Sequence, residues 1–271
     1  MSNENVVAKS NRLVEASYRL TLVEQKMILF AICRAREEQK GLSADDWLTI
    51  DAKEFAAVYG ADPRNAYRQL SEAAATLYDR SITMYDNVGD PRRIETRWIS
   101  AKARIDARGQ VQIIFAPQVI PYISRVEAEF TQYRLEKIGN LSSVYAVRLY
   151  ELLLQYANTK QKSRVFAIVD LRKTLGLTDE YPAIDRLKER VIDVAVTQIN
   201  AHTDITTSYT QQRTGRTITH LTFAIKLKAA PKPKKAAPVR TAEKAAPTAD
   251  RETANKRITE AKAILKKRDL F

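Results

Sequence analysis

Residues 180–200, EYPAIDRLKERVIDVAVTQIN, carry charged side chains at helical spacing. Arg186, Glu189, Arg190 and Asp193 recur three and four residues apart and would share one side of an α-helix. Two guanidinium groups one turn apart present forked hydrogen-bond donors, which match the paired acceptors on the major-groove edge of guanine. The alternative interpretation is a solvated helix face with internal ion pairs, which is common in proteins.

Other side chains would act beside these two arginines. Glu189 or Asp185 could accept a hydrogen bond from cytosine, or could orient the arginines. Lys188 lies at the flank of the same face, which suits a phosphate contact. Arg213 and Arg216 stand in a Gly-containing turn and could meet backbone phosphates there.

The flanking sequence predicts how this helix is positioned. Strand-like RVFAIV precedes a short helix at 170–176, which Asp170 would open and Gly176 would close. A β-hairpin follows the longer helix and turns at 213–216. A short helix, a tight turn, a longer helix and a hairpin form a winged helix-turn-helix. One apolar face of the longer helix would pack inward, namely Ile184, Leu187, Val191, Val194, Ala195 and Gln198.

The same order of elements is predicted in the first half of the chain. A strongly apolar helix at 20–38 is followed by a short strand-like run at 47–50 and a helix that Asp51 caps and Gly60 ends. A second helix at 62–82 starts with Asp62 and Pro63. Two alternating runs, residues 96–106 and 110–116, then form a β-hairpin. The repeated order indicates an internal duplication of architecture.

The outward face of the first unit offers weaker candidates for the same chemistry. Arg64, Asn65 and Arg68 would occupy the matching positions of its longer helix. Arg92 and Arg93 lie in a predicted polar turn, where they could add phosphate contacts or belong to a plain loop.

The charge distribution predicts that a polyanion would bind mainly to the second half of the chain. The chain of 271 residues has a net charge of +13. Residues 1–130 carry 18 basic and 18 acidic residues, residues 131–227 carry 14 and 9, and residues 228–271 carry 13 and 5. A basic surface that merely keeps a protein in solution would look similar.

Because the chain has one cysteine, no signal-peptide pattern and no long apolar stretch, we expect a cytoplasmic protein that does not span a membrane.

Enzyme and cofactor signatures are missing from the sequence. The two histidines, His202 and His220, are 18 residues apart and form no metal-ligand cluster of the kind that nicking enzymes use. Cys33 has no evident histidine partner, and the adjacent acidic pairs 37–38 and 45–46 are typical of solvated segments. No Gly-x-x-x-x-Gly-Lys loop is present. We therefore expect no catalytic residues, no metal and no cofactor.

Residues 229–271 are predicted to form a basic flexible tail. An Ala/Pro/Lys-rich linker has too few large apolar residues to fold and is followed by a short basic helix. The tail could add salt-sensitive DNA affinity. Its last residues, Asp269, Leu270 and Phe271, match the end of peptides that dock on the sliding clamp, although Lys267 and Arg268 replace the leading Gln and Leu of that pattern.

One segment resembles a known family. Residues 6–32, with the run KSN-LVEA-Y-LT--EQK-IL, resemble the opening of the iteron-binding plasmid replication initiators, the Rep superfamily with two winged-helix domains. The resemblance continues through 133–156 and 190–200 and covers about residues 6–228. It supports an α+β fold of two tandem winged-helix domains, residues 1–130 and 131–228, followed by the disordered linker and the short C-terminal helix.

The resemblance also implies a function and partners. Such initiators bind repeated sites, called iterons, in double-stranded DNA at a plasmid origin, help to open the duplex, and recruit the host helicase and host initiator. They form homodimers through the N-terminal domain and often repress their own gene. Most base contacts would fall on the helix at 181–200 and the second wing, and weaker contacts on the helix at 63–80. The alternative is a dimeric winged-helix transcriptional repressor without an initiation role.

Overall fold

The structure is a computed structural model, and it describes residues 5–86, 92–124 and 129–229. The predicted tail lies outside the described residues from position 230 onward. The first half contains, in order, β1 (Val6–Ser10), α1 (Asn11–Glu15), β2 (Ser17–Tyr18), α2 (Leu22–Glu38), β3 (Leu48–Asp51), α3 (Ala52–Tyr59), α4 (Pro63–Leu77), β4 (Ser81–Asp86), β5 (Arg92–Arg97), β6 (Ile99–Ile105), β7 (Gln110–Phe115), α5 (Pro121–Ser124) and β8 (Phe130–Arg134).

The second half is built around one long irregular helix. Its elements are α6 (Val144–Ala157), β9 (Ser163–Ala167), α7 (Ile168–Thr174), α8 (Ile184–Leu187), a π-helical segment (Lys188–Ile192), α9 (Asp193–His202), β10 (Ile205–Thr214) and β11 (Thr217–Leu227). The backbone stays in the right-handed helical region through both junctions, so α8, the π segment and α9 form one continuous helix over 184–202. We call it the composite helix.

Both halves contain the same small sheet, which confirms the predicted duplication. In the first half the strand order is β3-β7-β6, and in the second half it is β10-β11-β9. In each sheet the strand before the helix pair, β3 or β9, lies antiparallel to the second strand of the hairpin. Each half therefore has a helix-turn-helix followed by a two-stranded wing, and the predicted pair of winged-helix units is confirmed.

Local capping chemistry explains where several helices begin and end. The Asp51 side chain accepts hydrogen bonds from the backbone N–H groups of Lys53 and Glu54, and Gly60 ends α3 in the left-handed conformation at φ +61°. Asp62 caps α4, and Pro63 takes its first position, where the missing N–H costs no helical bond. These predicted caps are confirmed.

Other predicted boundaries are wrong. Helix α4 ends at Leu77 rather than at residue 82, since Ser81 already begins β4. Helix α7 starts at Ile168 after Ala167, so Asp170 lies inside its first turn and does not cap it. The composite helix begins at Ile184 rather than at 180 or 181.

The first unit contains a second hairpin that the sequence analysis missed. Strand β4 pairs antiparallel with β5, and this pair joins β2 in a three-stranded sheet. Arg92 and Arg93 do not lie in a polar turn. They belong to β5, where they stand opposite Asp86 and Tyr85 of β4 in the strand register.

Buried polar side chains connect the two halves. Arg148 of α6 is almost fully buried and donates to the Tyr18 hydroxyl (2.5 Å), to the Ala16 carbonyl (2.8 Å) and to the Thr174 carbonyl (3.2 Å). These bonds join α6 to β2 of the first unit and to α7 of the second. Helix α2 is buried along Met27–Cys33, as its apolar sequence predicts.

Candidate nucleic-acid interface

The composite helix is fixed on its inner side by packing and by side-chain amides. Its buried residues are Leu187, Val191, Ile192, Ala195 and Ile199. On one flank, the Gln198 side-chain oxygen accepts from the backbone N–H groups of Ser142 (2.9 Å) and Ser143 (3.1 Å) at the start of α6. On the other flank, Asn200 accepts from the Thr207 N–H (2.7 Å) and donates to its carbonyl (2.9 Å) on β10. The outer side of the helix is thereby held in a defined orientation.

The π segment changes which residues point inward. A π turn holds one more residue than an α turn, so the inward face advances by one position after it. Ile192 is fully buried, whereas Val194 is 38 % exposed and Gln198 lies at the flank. The prediction that Val194 and Gln198 continue the apolar face is therefore wrong, because it assumed a regular helical period.

The outward side carries the predicted charged group. The side chains of Arg186, Glu189 and Arg190 are 65 %, 52 % and 61 % exposed. Arg186 Nη1 lies 2.8 Å from Glu189 Oε2, and Arg190 Nε lies 3.5 Å from Glu189 Oε1. The guanidinium groups keep further N–H donors for a ligand, since each has five. The structure thus brings these three residues together on an accessible surface.

Lys188 faces the wing and does not share this surface. Its ammonium donates to the Gln211 side-chain oxygen on β10 (3.2 Å) and lies 3.9 Å from Asp185 Oδ1. Its side chain is only 24 % exposed, whereas that of Asp185 is 88 % exposed.

The wing is attached to the composite helix by a short hydrogen bond. The Tyr209 hydroxyl of β10 donates to Asp193 Oδ1 at 2.6 Å. Partial burial and then this bond to a carboxylate raise the pKa of Tyr209, so the hydroxyl keeps its proton and remains a donor.

Two exposed arginines lie at the tip of the wing. Gly215 takes the left-handed conformation at φ +61° in the turn, and a register shift at Gln212/Arg213 bends β10 just before it. Arg213 and Arg216 are exposed, and within the described part of the chain neither has a hydrogen-bond or ion-pair partner. Their positive charge is available to an external anion.

The candidates of the first unit are exposed but paired. Arg64 is held by Asp62 (3.1 Å), which caps the same helix, and Arg68 is held by Glu72 one turn further on (3.1 Å). Asn65 is exposed between them. Arg93 of β5 lies 3.2 Å from Glu95. Each of these three arginines would have to exchange or share its carboxylate to bind a phosphate.

Sequence reasoning missed one feature of this surface, namely that Val194 is turned outward after the π segment. The row Asp185, Glu189, Asp193, whose members the sequence already placed beside the arginines, lies at four-residue spacing on the exposed side. The adjacent apolar residues Val191 and Ile192, which both point inward, are the signal in the sequence that the inner face widens at this point.

The described residues offer neither a metal-ligand cluster nor an activated thiol. Among these residues no group of three or more His, Cys, Asp or Glu side chains could hold a metal ion. Cys33 is buried, and desolvation followed by the nearby Glu37 raises the pKa of its thiol to about 12. Such a thiol is a poor nucleophile at neutral pH. None of the described helices has the length and apolar character needed to cross a membrane.

Two winged helix-turn-helix units in one chain define a tandem winged-helix protein. Residues 6–154 match a family model described as "Initiator Replication protein, WH1", and residues 167–225 match "Initiator Rep protein, WH2". The chain belongs to this family of initiator replication (Rep) proteins.

The chain is also similar to individual proteins. A solved structure of the Pi initiator protein in complex with iteron DNA is 21 % identical, with a TM-score of 0.66 over 82 % of this chain and 97 % of that one. An uncharacterized 27.6 kDa protein of Escherichia coli is 22 % identical over 218 residues, which cover 78 % of this chain and 91 % of that protein. The WH1 domain of a replication protein isolated from a multiple sclerosis patient is 38 % identical over 40 % of this chain and 83 % of that chain, with a TM-score of 0.35.

Proposed function

We propose that this Rep protein is a plasmid replication initiator that binds iterons at the plasmid origin. The observation that carries the proposal is the pair Arg186 and Arg190, which lie one turn apart on the outward side of the second helix of a winged helix-turn-helix. The similar Pi initiator protein was crystallised with iteron DNA, which makes origin repeats the first DNA to test.

The second unit makes the main contact in this proposal. The composite helix enters the major groove, where the arginine forks reach guanine. Arg213 and Arg216, which are unpaired within the described residues, bind backbone phosphates from the wing tip. Lys188, held against Gln211, contacts a phosphate at the groove edge. The excess of 14 basic over 9 acidic residues in 131–227 supports this division of labour.

The first unit makes a secondary contact. Arg64, Asn65 and Arg68 lie exposed on α4, but Asp62 and Glu72 already hold the two arginines. Because residues 1–130 carry equal numbers of basic and acidic residues, this unit gains little from general attraction to DNA.

Further activities follow from the family resemblance and belong to the same proposal. Residues 1–130 mediate homodimerisation, and the dimer represses the protein's own gene. The DNA-bound protein promotes origin opening and recruits the host helicase and host initiator. Plasmid origins lie in the cytoplasm, so we place the activity there.

A footprint followed by transformation tests the function. The purified protein should protect a set of repeats in the DNA that flanks its gene. A plasmid with only a marker, the gene and these repeats should then give colonies in a suitable host, whereas matched plasmids with a stop codon in the gene or without the repeats should give none. Protection without colonies would leave the transcriptional repressor. No protection of any sequence would contradict both functions.

We also propose two roles for the tail, nonspecific DNA binding and docking on the sliding clamp. Residues 229–271 add nonspecific DNA affinity, so their deletion should make binding less salt-sensitive; an unchanged salt slope would contradict this. Asp269, Leu270 and Phe271 dock on the sliding clamp. Purified clamp should then be retained by the full chain and not by a variant that lacks these three residues, and equal retention of both would refute the docking.

A further inference from the structure

The outward side of the composite helix carries two rows with different chemistry. Asp185, Glu189 and Asp193 form the row nearer the wing, since Asp193 accepts from Tyr209 of β10. Arg186, Arg190 and Val194 form the other row, at spacings of four residues. Gln198 continues this second row and contacts Ser142 at the start of α6, on the flank away from the wing. The second row therefore consists of two donors followed by one apolar group.

The acidic row is already engaged within the protein. Asp193 binds the Tyr209 hydroxyl, Asp185 lies 3.9 Å from the Lys188 ammonium, and Glu189 contacts both arginines. The second row ends in Val194, which is 38 % exposed. Its side chain ends in methyl groups and therefore needs no hydrogen-bond partner.

The exposure of Val194 is a consequence of the π segment. A regular helical period would continue the buried series Leu187 and Val191 at Val194, whereas here the fully buried residue is Ala195, one position later. The π turn buries Ile192 and turns Val194 outward, next to Arg190 along the row. π turns of this kind are frequent at functional sites. A single exposed valine is otherwise unremarkable, so its place in the row is what matters.

We propose that Val194 determines base specificity by packing against the C5 methyl group of a thymine. This inference rests on the proposed binding of the composite helix in the major groove. The thymine methyl is the apolar group that the four bases present there. One helical turn rises about 5.4 Å, and adjacent bases are about 3.4 Å apart, so the thymine lies one or two base pairs from the guanine that Arg190 reads. The β-branched side chain has few rotamers to lose on contact.

Deoxyuridine substitution tests this contact, since it removes only the methyl group. In the footprinted duplex each thymine is replaced in turn, and the affinity of the wild-type protein is measured. One thymine should be sensitive, with a loss of about fourfold, which corresponds to one methyl group at ~0.8 kcal/mol. Val194→Ala should lose this sensitivity at that thymine and keep the rest of the profile. Val165→Ala, which shortens another exposed valine (53 %) on β9, is the matched control and should keep the whole profile.

The outcomes separate this proposal from the proposed function. If the wild-type protein protects no specific sequence, DNA recognition fails and the thymine contact fails with it. If the protein binds specifically and Val194→Ala has the wild-type deoxyuridine profile, the function stands and the role of Val194 is refuted. Specific binding without any sensitive thymine would refute it as well.

Discussion

Glu189 Oε2 accepts a hydrogen bond of 2.8 Å from Arg186 Nη1, and the other oxygen of the same carboxylate lies 3.5 Å from Arg190 Nε. One carboxylate thus contacts both arginines that we assign to base recognition. All three side chains are more than half exposed, so the attraction is screened and costs little to break. Glu189 therefore competes with DNA for the arginines without preventing binding.

We expect Glu189→Gln to lower specificity. The substitution removes a negative charge that repels phosphates and holds the arginines, so affinity for random duplex should rise more than affinity for the origin site. The ratio of the two affinities should fall about threefold, in line with the small free energies of exposed ion pairs. Equilibrium titration of both duplexes measures this ratio. Asp179→Asn, which removes an exposed charge outside the composite helix, should leave it unchanged.

A different result for Glu189→Gln would reveal a different role. If origin binding weakens about tenfold or more while random binding is unchanged, the carboxylate accepts a hydrogen bond from a base, such as the cytosine amino group. The orienting role would then be contradicted.

The wing arginines should contribute affinity without specificity. Arg213→Ala and Arg216→Ala should weaken binding to origin and random duplexes equally, and each should make the slope of log K against log salt shallower by about 1. Lys160→Ala removes an exposed charge near the opposite end of the same sheet and is the control. A loss confined to the origin duplex would mean that the wing tip reads bases.

The buried pair Lys9 and Glu151 should make a large difference to stability. Lys9 Nζ lies 2.6 Å from Glu151 Oε1, both side chains are fully buried, and the Tyr133 hydroxyl donates to the same oxygen at 2.5 Å. Lys9→Met leaves the buried carboxylate with one remaining cation, Arg148, whose Nη1 lies 3.6 Å from the other carboxylate oxygen, and should lower the free energy of unfolding by about 3 kcal/mol. Lys9→Met/Glu151→Gln should recover part of this loss, because the neutral amide oxygen can still accept from the Tyr133 hydroxyl. Urea unfolding measures both, and a loss below about 1 kcal/mol for the single variant would contradict the assignment.

Cys33 should be unreactive in the folded protein. Burial and then Glu37 raise its pKa to about 12, whereas the unfolded thiol ionises near 9.0. A raised folded pKa favours the folded state fully below pH 9, and this contribution is lost as the pH rises from 9 towards 12. Iodoacetamide at mildly alkaline pH should therefore label Cys33 slowly in buffer and rapidly in urea. Equal rates would show that the thiol is accessible and ionised in the native state.

The sequence predicted the features that depend on local chemistry. Asp51 and Asp62 cap helices through their own side chains, and Gly60 and Gly215 take the left-handed conformation that other residues rarely adopt. Each of these signals lies within a few residues of the boundary that it sets. The duplicated winged-helix order could be predicted from such signals.

Features that depend on irregular or distant packing could not be predicted. The π segment places Ile192 inward and Val194 outward, although both are equally apolar in the sequence. Strand β5, RRIETR, is mostly exposed and lacks the apolar alternation that predicts a strand. Lys9 is buried against Glu151. Because Glu151 lies far along the chain, no local sequence pattern indicates this pairing.

The role of Arg190 is tested most directly by comparing the affinities of the wild type and Arg190→Ala for the footprinted origin duplex and for a random duplex of equal length. We predict a loss of about 5- to 150-fold on the origin duplex, the equivalent of one lost bidentate base contact, and a much smaller loss on the random duplex. Arg213→Ala should lower both affinities alike. If Arg190→Ala and Arg213→Ala cause equal losses on both duplexes, the composite helix does not read the DNA sequence.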